Sequence, residues 1–221
     1  MVGSAGKLRT LRHRVVASDL DPLISPETQK LRLADSGPRD PSMIVPVIKQ
    51  GLPASDDAIV LLPKLRPIAE KLVAELNVMY AFDLPGHFEY LSEQHCQDLG
   101  LDPASLRKLS VQNLTRRRSK PEILRPSDAV TMFRLDGDLE TSLLLVDHVW
   151  PQAARAIAGE IVAGVPSRDV LAITGTGITG GIETLRWAVD RVWKRPTNPK
   201  LILTRSLLLR RNDAWQVFES T

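Results

Sequence analysis

The sequence predicts an α+β fold: antiparallel β-hairpins forming a sheet packed with helices, in a single domain preceded by an N-terminal arm. Two patterns predict it. Apolar runs of strand length occur as sequential pairs joined by short turn-rich links, the arrangement of antiparallel hairpins. Helical periodicity falls between those pairs, and a doubly wound parallel fold does not produce that order. With 221 residues, 43% hydrophobic and 25% charged, the chain can bury one well-packed core.

Residues 1–43 read as a mobile or loosely packed arm. Asp19-Leu20-Asp21-Pro22 and Asp35-Ser36-Gly37-Pro38 are turn signals, with a short strand predicted at Lys30–Leu33. The α+β domain is predicted over residues 44–221. Ile44–Ile48 carries Pro46 and suits an edge strand. Leu65, Ile68, Ala69, Leu72, Val73 and Leu76 share one helical face, predicting a helix over Pro63–Leu76. Val78–Leu84 and His87–Leu91 read as a hairpin through Pro85-Gly86.

Ser92 is an N-cap candidate for a short helix that stops at Gly100. Asp102-Pro103 opens the next helix, with Leu106, Leu109, Asn113 and Leu114 near one face. Ala129–Leu135 and Leu139–Leu145 flank Asp136-Gly137-Asp138, a hairpin signal. A helix is predicted from Asp147 to about Gly159. Ile161–Val165 and Val170–Thr174 form another hairpin, through Pro166-Ser167-Arg168-Asp169. Thr179 or Gly180 opens an amphipathic helix with Ile182, Leu185, Val189, Val192 and Trp193 inward. Leu201–Leu209 and Trp215–Glu219 close the chain as a third hairpin.

Several of these stretches are similar to a known set. They are Pro46-Val47-Ile48-Lys49, Tyr80-Ala81-Phe82-Asp83, Asn113-Leu114, Leu135-Asp136-Gly137 and Val165-Pro166-Ser167-Arg168-Asp169-Val170-Leu171. In this order, across residues 44–219, the chain resembles a bacterial family of unknown function, the one that includes the Bacillus YtpQ protein. The resemblance implies a shared fold and a bacterial, cytosolic setting, and it implies no known activity. The arm departs from the longer, helix-bearing N-terminal region that the resemblance would imply.

Composition narrows function mostly by exclusion. The net charge is +3, yet the first sixteen residues hold four bases and no acid, so the remainder is left at −1. The body therefore lacks the broad basic footprint of a nucleic-acid-binding domain. One cysteine, Cys96, permits no intramolecular disulfide and suits a cytoplasmic setting. No apolar run is long enough to span a membrane. His87, His95, Cys96 and His148 lack metal-ligand spacing, and Cys96 lacks a nucleophile's surroundings, so no metal, cofactor or catalytic set is assigned. His95 reads as a surface histidine beside a buried cysteine.

The remaining candidates are binding features. Arg168 and Asp169 form a turn that can hold an arginine–aspartate pair in fixed geometry, with Asp83 grouped alongside. Gly175, Gly177 and Gly180 fit a G-x-G-x-x-G loop after a strand. A dinucleotide site would also need a parallel strand ending in an acid some 20 residues on, so a flexible connection is the preferred reading. Arg116, Arg117, Arg118 and Lys120 form a basic patch without interleaved aromatics, read as a solvated helix end. The expectation is a non-enzymatic protein-binding or regulatory domain, with Trp150, Trp187, Trp193 and Trp215 as candidate interface anchors. The alternatives are a ligand-binding domain or enzyme using the Arg168/Asp169 turn and the Gly175–Gly181 loop, or a nucleic-acid accessory protein using the basic arm.

Overall fold

The structure is a computed structural model that describes residues 39–51, 66–118 and 120–219. The arm's expected strand at 30–33 lies outside these residues. In chain order the strands are β1 (Ile44–Gln50), β2 (Ala69–Val73), β3 (Leu76–Leu84), β4 (His87–Tyr90), β5 (Glu122–Leu124), β6 (Thr131–Arg134), β7 (Ile161–Ser167), β8 (Val170–Gly175), β9 (Leu207–Arg211) and β10 (Ala214–Val217). The helices are α1 (Glu93–Leu99), α2 (Leu106–Arg117), α3 (Trp150–Ala156) and α4 (Gly181–Lys194). The fold is α+β, with every strand pair antiparallel.

The hairpins build two sheets rather than one. In the first, β3 is central: β1 pairs along one side, and β2 and β4 share the other. That position explains why Val78-Met79-Tyr80-Ala81-Phe82 is apolar without alternation, since all five residues are buried. Pro46 is tolerated because β1 is an edge strand, as expected. The second sheet has six strands in the order β10-β9-β7-β8-β6-β5.

One apolar core joins the sheets. It gathers Ile44, Ile48 and Phe82 of the first sheet with Ile161, Ala163, Val165, Leu171, Ile173 and Leu208 of the second. The opposite face of the six-stranded sheet buries Val162, Ala172, Leu207 and Leu209 beneath Leu185 and Val189 of α4. The alternation along β7 thus serves two cores, the period-two rule applied to a strand covered on both sides. Gly164 sets how close α4 lies. A Cβ there would stand 2.6 Å from Val189 Cγ2 and 3.1 Å from Leu185 Cδ1.

The capped helices form where the signals stand. Ser92 Oγ accepts from the His95 N–H, and Gly100 takes the left-handed conformation at φ 63°. Asp102 caps the Pro103–Ser105 3-10 turn that leads into α2.

Two expectations are overturned. Residues 69–73, predicted as helix, form β2, while 63–65 lie outside the described residues. An open side of β3 accepts β2 after a two-residue turn at Ala74-Glu75, with Ala74 at φ 50°. Tertiary pairing overrides local periodicity here. Glu140–Leu145, predicted as the second strand of a hairpin, is a 3-10 helix buried on all sides, a burial that a strand facing water on one side would not show. Glu140 itself bends the chain: its Oε1 accepts N–H groups from Leu135 (3.0 Å), Asp136 (3.2 Å) and Gly137 (2.7 Å). Ser142 Oγ then donates to the Pro46 carbonyl at 2.7 Å, anchoring the segment on β1.

The Gly164 contact yields a stability test. Gly164→Ala must push α4 off the sheet, and overpacking of this kind costs about 1–3 kcal/mol. Urea unfolding is expected to show a lower midpoint, and a midpoint equal to that of the parent would contradict the close approach.

Candidate functional site

Charged residues distant in sequence meet in space, and three of them, Asp83, Asp136 and Arg168, stand in the stretches that carry the family resemblance. Asp83 is the penultimate residue of β3, Arg117 ends α2 and Arg118 is its C-cap, Asp136 and Asp138 follow β6, and Arg168 stands in the β7–β8 turn. Arg117 donates to Asp83 at 3.1 Å, and Arg118 reaches Asp83 at 3.4 Å. Arg118 Nε also donates to Asp136 at 2.7 Å. Arg168 donates to Asp138 at 2.8 Å, and its guanidinium lies 5.2 Å from the centre of the Phe88 ring. Arg117, Asp83, Arg118 and Asp136 thereby form one chain of ion pairs, and Arg168 and Asp138 form a separate pair from the same loop.

Arg168 does not pair with Asp169. Asp169 instead accepts from the Ser167 hydroxyl within the turn. The backbone explains the choice. Arg168 N–H donates to the Leu201 carbonyl (2.8 Å), and Arg168 C=O accepts from Thr141 N–H (3.3 Å) and Thr141 Oγ1 (3.1 Å). These bonds dock the turn on neighbouring segments, and the Arg168 side chain, 11% exposed, extends to Asp138.

Burial pushes the Asp83 carboxyl up from its ordinary value; Arg117 and Arg118 oppose the shift, and Asp136 and Asp138 reinforce it. Glu140, 1% exposed, is also pushed up by burial, against the N–H groups of Leu135 and Gly137 that it accepts. Its Oε2 has no hydrogen-bond partner. Glu140 holds the loop carrying Asp136 and Asp138. Neither it nor Phe88 stands out in the sequence, because each acts through contacts that only folding creates.

The glycine loop has another use. A Cβ on Gly175 would overlap the Ala158 carbonyl oxygen, and one on Gly177 would stand 3.1 Å from it. Thr176 N–H donates to Glu160 C=O and Gly177 N–H to Ala158 C=O, each at 2.9 Å. Gly180 takes φ 68° at the start of α4. Two of the N–H groups a pyrophosphate would need are therefore engaged with backbone, and β8 is antiparallel to both its neighbours.

The basic patch divides. Arg117 and Arg118 belong to the charge cluster, whereas Arg116 donates to Asn113 Oδ1 at 2.6 Å and Lys120 is exposed. Asn113 Nδ2 donates to the carbonyls of Pro41 (2.8 Å) and Ile44 (2.9 Å), tying α2 to the start of β1.

Two tryptophans leave the list of anchors. Trp150 is fully buried, and Trp215 packs edge-on against it while donating to the Leu144 carbonyl at 2.9 Å. Trp193 is half-buried, and Trp187, at 62%, is exposed with Arg191 over its ring. His95 is not a free surface histidine: Nδ1 accepts from the Ser92 N–H (3.1 Å), and Nε2 lies 3.4 Å from Glu89. Cys96 is buried, and burial, then Asp102 and Glu93, push its thiol up. Among the described residues no group of three or more His, Cys, Asp or Glu side chains is placed to hold a metal. Among them, too, no helix is long and apolar enough to cross a membrane.

A hollow of about 490 Å³ opens elsewhere, between α2 and the segment that follows the buried 3-10 helix. Val111, Gln112, Thr115 and Arg116 line one side, and Leu145, Asp147 and His148 the other. A second hollow of about 390 Å³, near Arg186 and Phe218, is bridged by an Arg205–Asp190 pair at 2.7 Å.

The chain has distant homologues among bacterial proteins of the uncharacterised UPF0354 family. It is 28% identical to the UPF0354 protein of Listeria innocua over 123 residues, 53% of this chain and 45% of that protein. It is 27% identical to the Staphylococcus haemolyticus protein over 109 residues, 49% of this chain and 38% of that one. The Listeria welshimeri protein matches at 27% over 113 residues, 49% and 41% of the two chains. The chain spans less than half the length of the curated relatives it matches. No family model and no solved structure matches it.

Two outcomes follow from the cluster. Arg168→Ala leaves Asp138 without its partner and uncovers Phe88, and is expected to cost about 1–3 kcal/mol in thermal unfolding. A wild-type melting temperature would show the contacts to be idle. Glu140 binds its proton more tightly folded than unfolded, so its contribution to stability falls as pH rises from its ordinary value of 4.5 through the raised folded one. Glu140→Gln keeps an oxygen acceptor without the charge. It is expected to flatten the fall in stability above that pH, and an unchanged profile would exclude this role.

Proposed function

We propose that the domain is a non-enzymatic protein-binding module of a cytoplasmic protein, and that its partner docks in the hollow between α2 and Leu145–His148. The mutual neutralisation of the charge cluster carries this reading. Arg117, Arg118 and Arg168 each have a carboxylate within 3.1 Å, leaving no unpaired guanidinium in the cluster to bind an anion. The thiol is buried and raised, which removes the nucleophile from play. The cluster acts as a clasp that keeps the sheets in register. By keeping the end of α2 in place, it also holds one wall of the hollow.

The hollow has the makeup of a small docking site, with Val111 and Leu145 as an apolar floor and Gln112, Thr115, Arg116 and His148 as a polar rim. The single cysteine and the family resemblance support the cytoplasmic setting.

The test is site-directed photo-crosslinking in native lysate, with the probe at position 112 and a control at Gln97, an exposed residue of α1. A discrete protein adduct is expected from position 112 alone, and Val111→Asp is expected to abolish it. Equal labelling from both positions, or none from 112, defeats the proposal.

A further inference from the structure

Charge on α2 is one-sided. Leu106–Arg117 carries Arg107, Lys108, Arg116 and Arg117 and no acid. Arg107 is engaged by Glu70 at 2.7 Å, and Arg117 by Asp83 at 3.1 Å. Lys108 and Arg116 are both exposed, and neither has a carboxylate within ion-pair distance among the described residues. Arg116 bonds only the Asn113 amide. Asp40 feels its charge but is engaged by the Ser42 N–H at 2.7 Å.

Lys108, Gln112 and Arg116 recur at four-residue intervals and form one stripe, whose ends stand about 12 Å apart at 1.5 Å per residue. The hollow floored by Val111 and Leu145 opens beside the middle of that stripe. Across it stand His148 and Asp147, and Asp147 lies 3.5 Å from Arg210.

Resting on the docking site proposed above, we infer that the hollow receives an extended acidic peptide segment of a partner protein, with an apolar side chain flanked by two carboxylates. The spacing comes from strand geometry. In an extended chain, residues i, i+2 and i+4 point to one side and span about 13 Å at 3.3 Å per residue. An apolar side chain at i+2 then enters the hollow, while carboxylates at i and i+4 meet Lys108 and Arg116. Two exposed cations with no carboxylate within ion-pair distance among the described residues are complementary to such a segment, and exposed pairs of this kind set orientation and encounter rate more than raw affinity. A single nucleic-acid strand is disfavoured, because no Phe, Tyr or Trp lines the hollow to stack a base.

The experiment selects a random short-peptide display library on the full chain, and in parallel on the Lys108→Glu/Arg116→Glu double variant. The expected enrichment is acid-x-apolar-x-acid on the parent and none of that pattern on the variant. A synthetic peptide of that pattern is expected to bind the parent roughly tenfold or more tightly than either the double variant or Val111→Asp, and less tightly as salt rises. Circular dichroism and melting temperature establish that both variants are folded, and an unfolded Val111→Asp is replaced by Val111→Thr. No enrichment, enrichment without the acidic pattern, or binding indifferent to charge reversal overturns the inference. So does tighter, charge-reversal-sensitive binding of single-stranded oligothymidine, or self-association through the stripe in sedimentation. Neutral peptides that still protect position 112 from crosslinking would leave the docking site standing and remove only the acidic partner. Acidic peptides that leave the position-112 adduct unchanged would remove both.

Discussion

Asp83, Asp136 and Asp138 are placed at the rim of an apolar core, where a carboxylate without a counter-charge is costly. Arg117, Arg118 and Arg168 arrive from a helix end and from a β-turn to meet them. Asp83 is the most shielded of the three carboxylates, so the loss of its arginine partners bears on it most. The positions of α2, the loop after β6 and the β7–β8 turn therefore depend on one another. Glu140 reinforces this from below by gathering three N–H groups of the same loop.

The same constraint separates structure from function in this fold. Motifs that look like a site when read one by one become a self-contained clasp once they are assembled. The glycines of the 175–181 loop follow the same logic: they allow the strand end to lie against the 157–159 backbone, and two of their neighbouring N–H groups are engaged there. Among the described residues, Lys108 and Arg116 on the exposed side of α2 have no carboxylate within ion-pair distance, and the hollow lies beside them. A helix whose inner charges are consumed by the clasp and whose outer charges are not has a surface suited to a complementary partner.

A third arrangement stabilises the opposite end of the core. Arg210, 8% exposed, lies 5.6 Å from the ring centres of both Trp150 and Trp215. Its guanidinium lies over the aromatic pair, and the exposed Asp147 and Asp213 approach it at 3.5 and 3.1 Å. Trp150 and Trp215, two of the four tryptophans expected at an interface, are thus used internally, while Trp187 is exposed with Arg191 over its ring.

Local chemistry made much of the fold legible in the sequence. The Pro85-Gly86 turn, the Ser92 and Asp102 caps, the Gly100 stop, the amphipathic α4 and the Val170 hairpin are each specified by residues within a few positions of one another. The α+β class and antiparallel pairing followed from these. Where the sequence misled, the deciding partner was remote. Residues 69–73 became a strand because β3 had an open side to pair. Residues 140–145 became a 3-10 helix because Glu140 reached back to the preceding turn and Ser142 reached β1. The candidate site shows the same division. Arg168, Asp83, Arg117 and Arg118 stood out as residues, but Asp138 lies 30 positions from Arg168, and Arg117 and Arg118 lie 34 and 35 positions from Asp83. Residue type determined which charges had to be satisfied, and only the tertiary structure decided which carboxylate would satisfy each one.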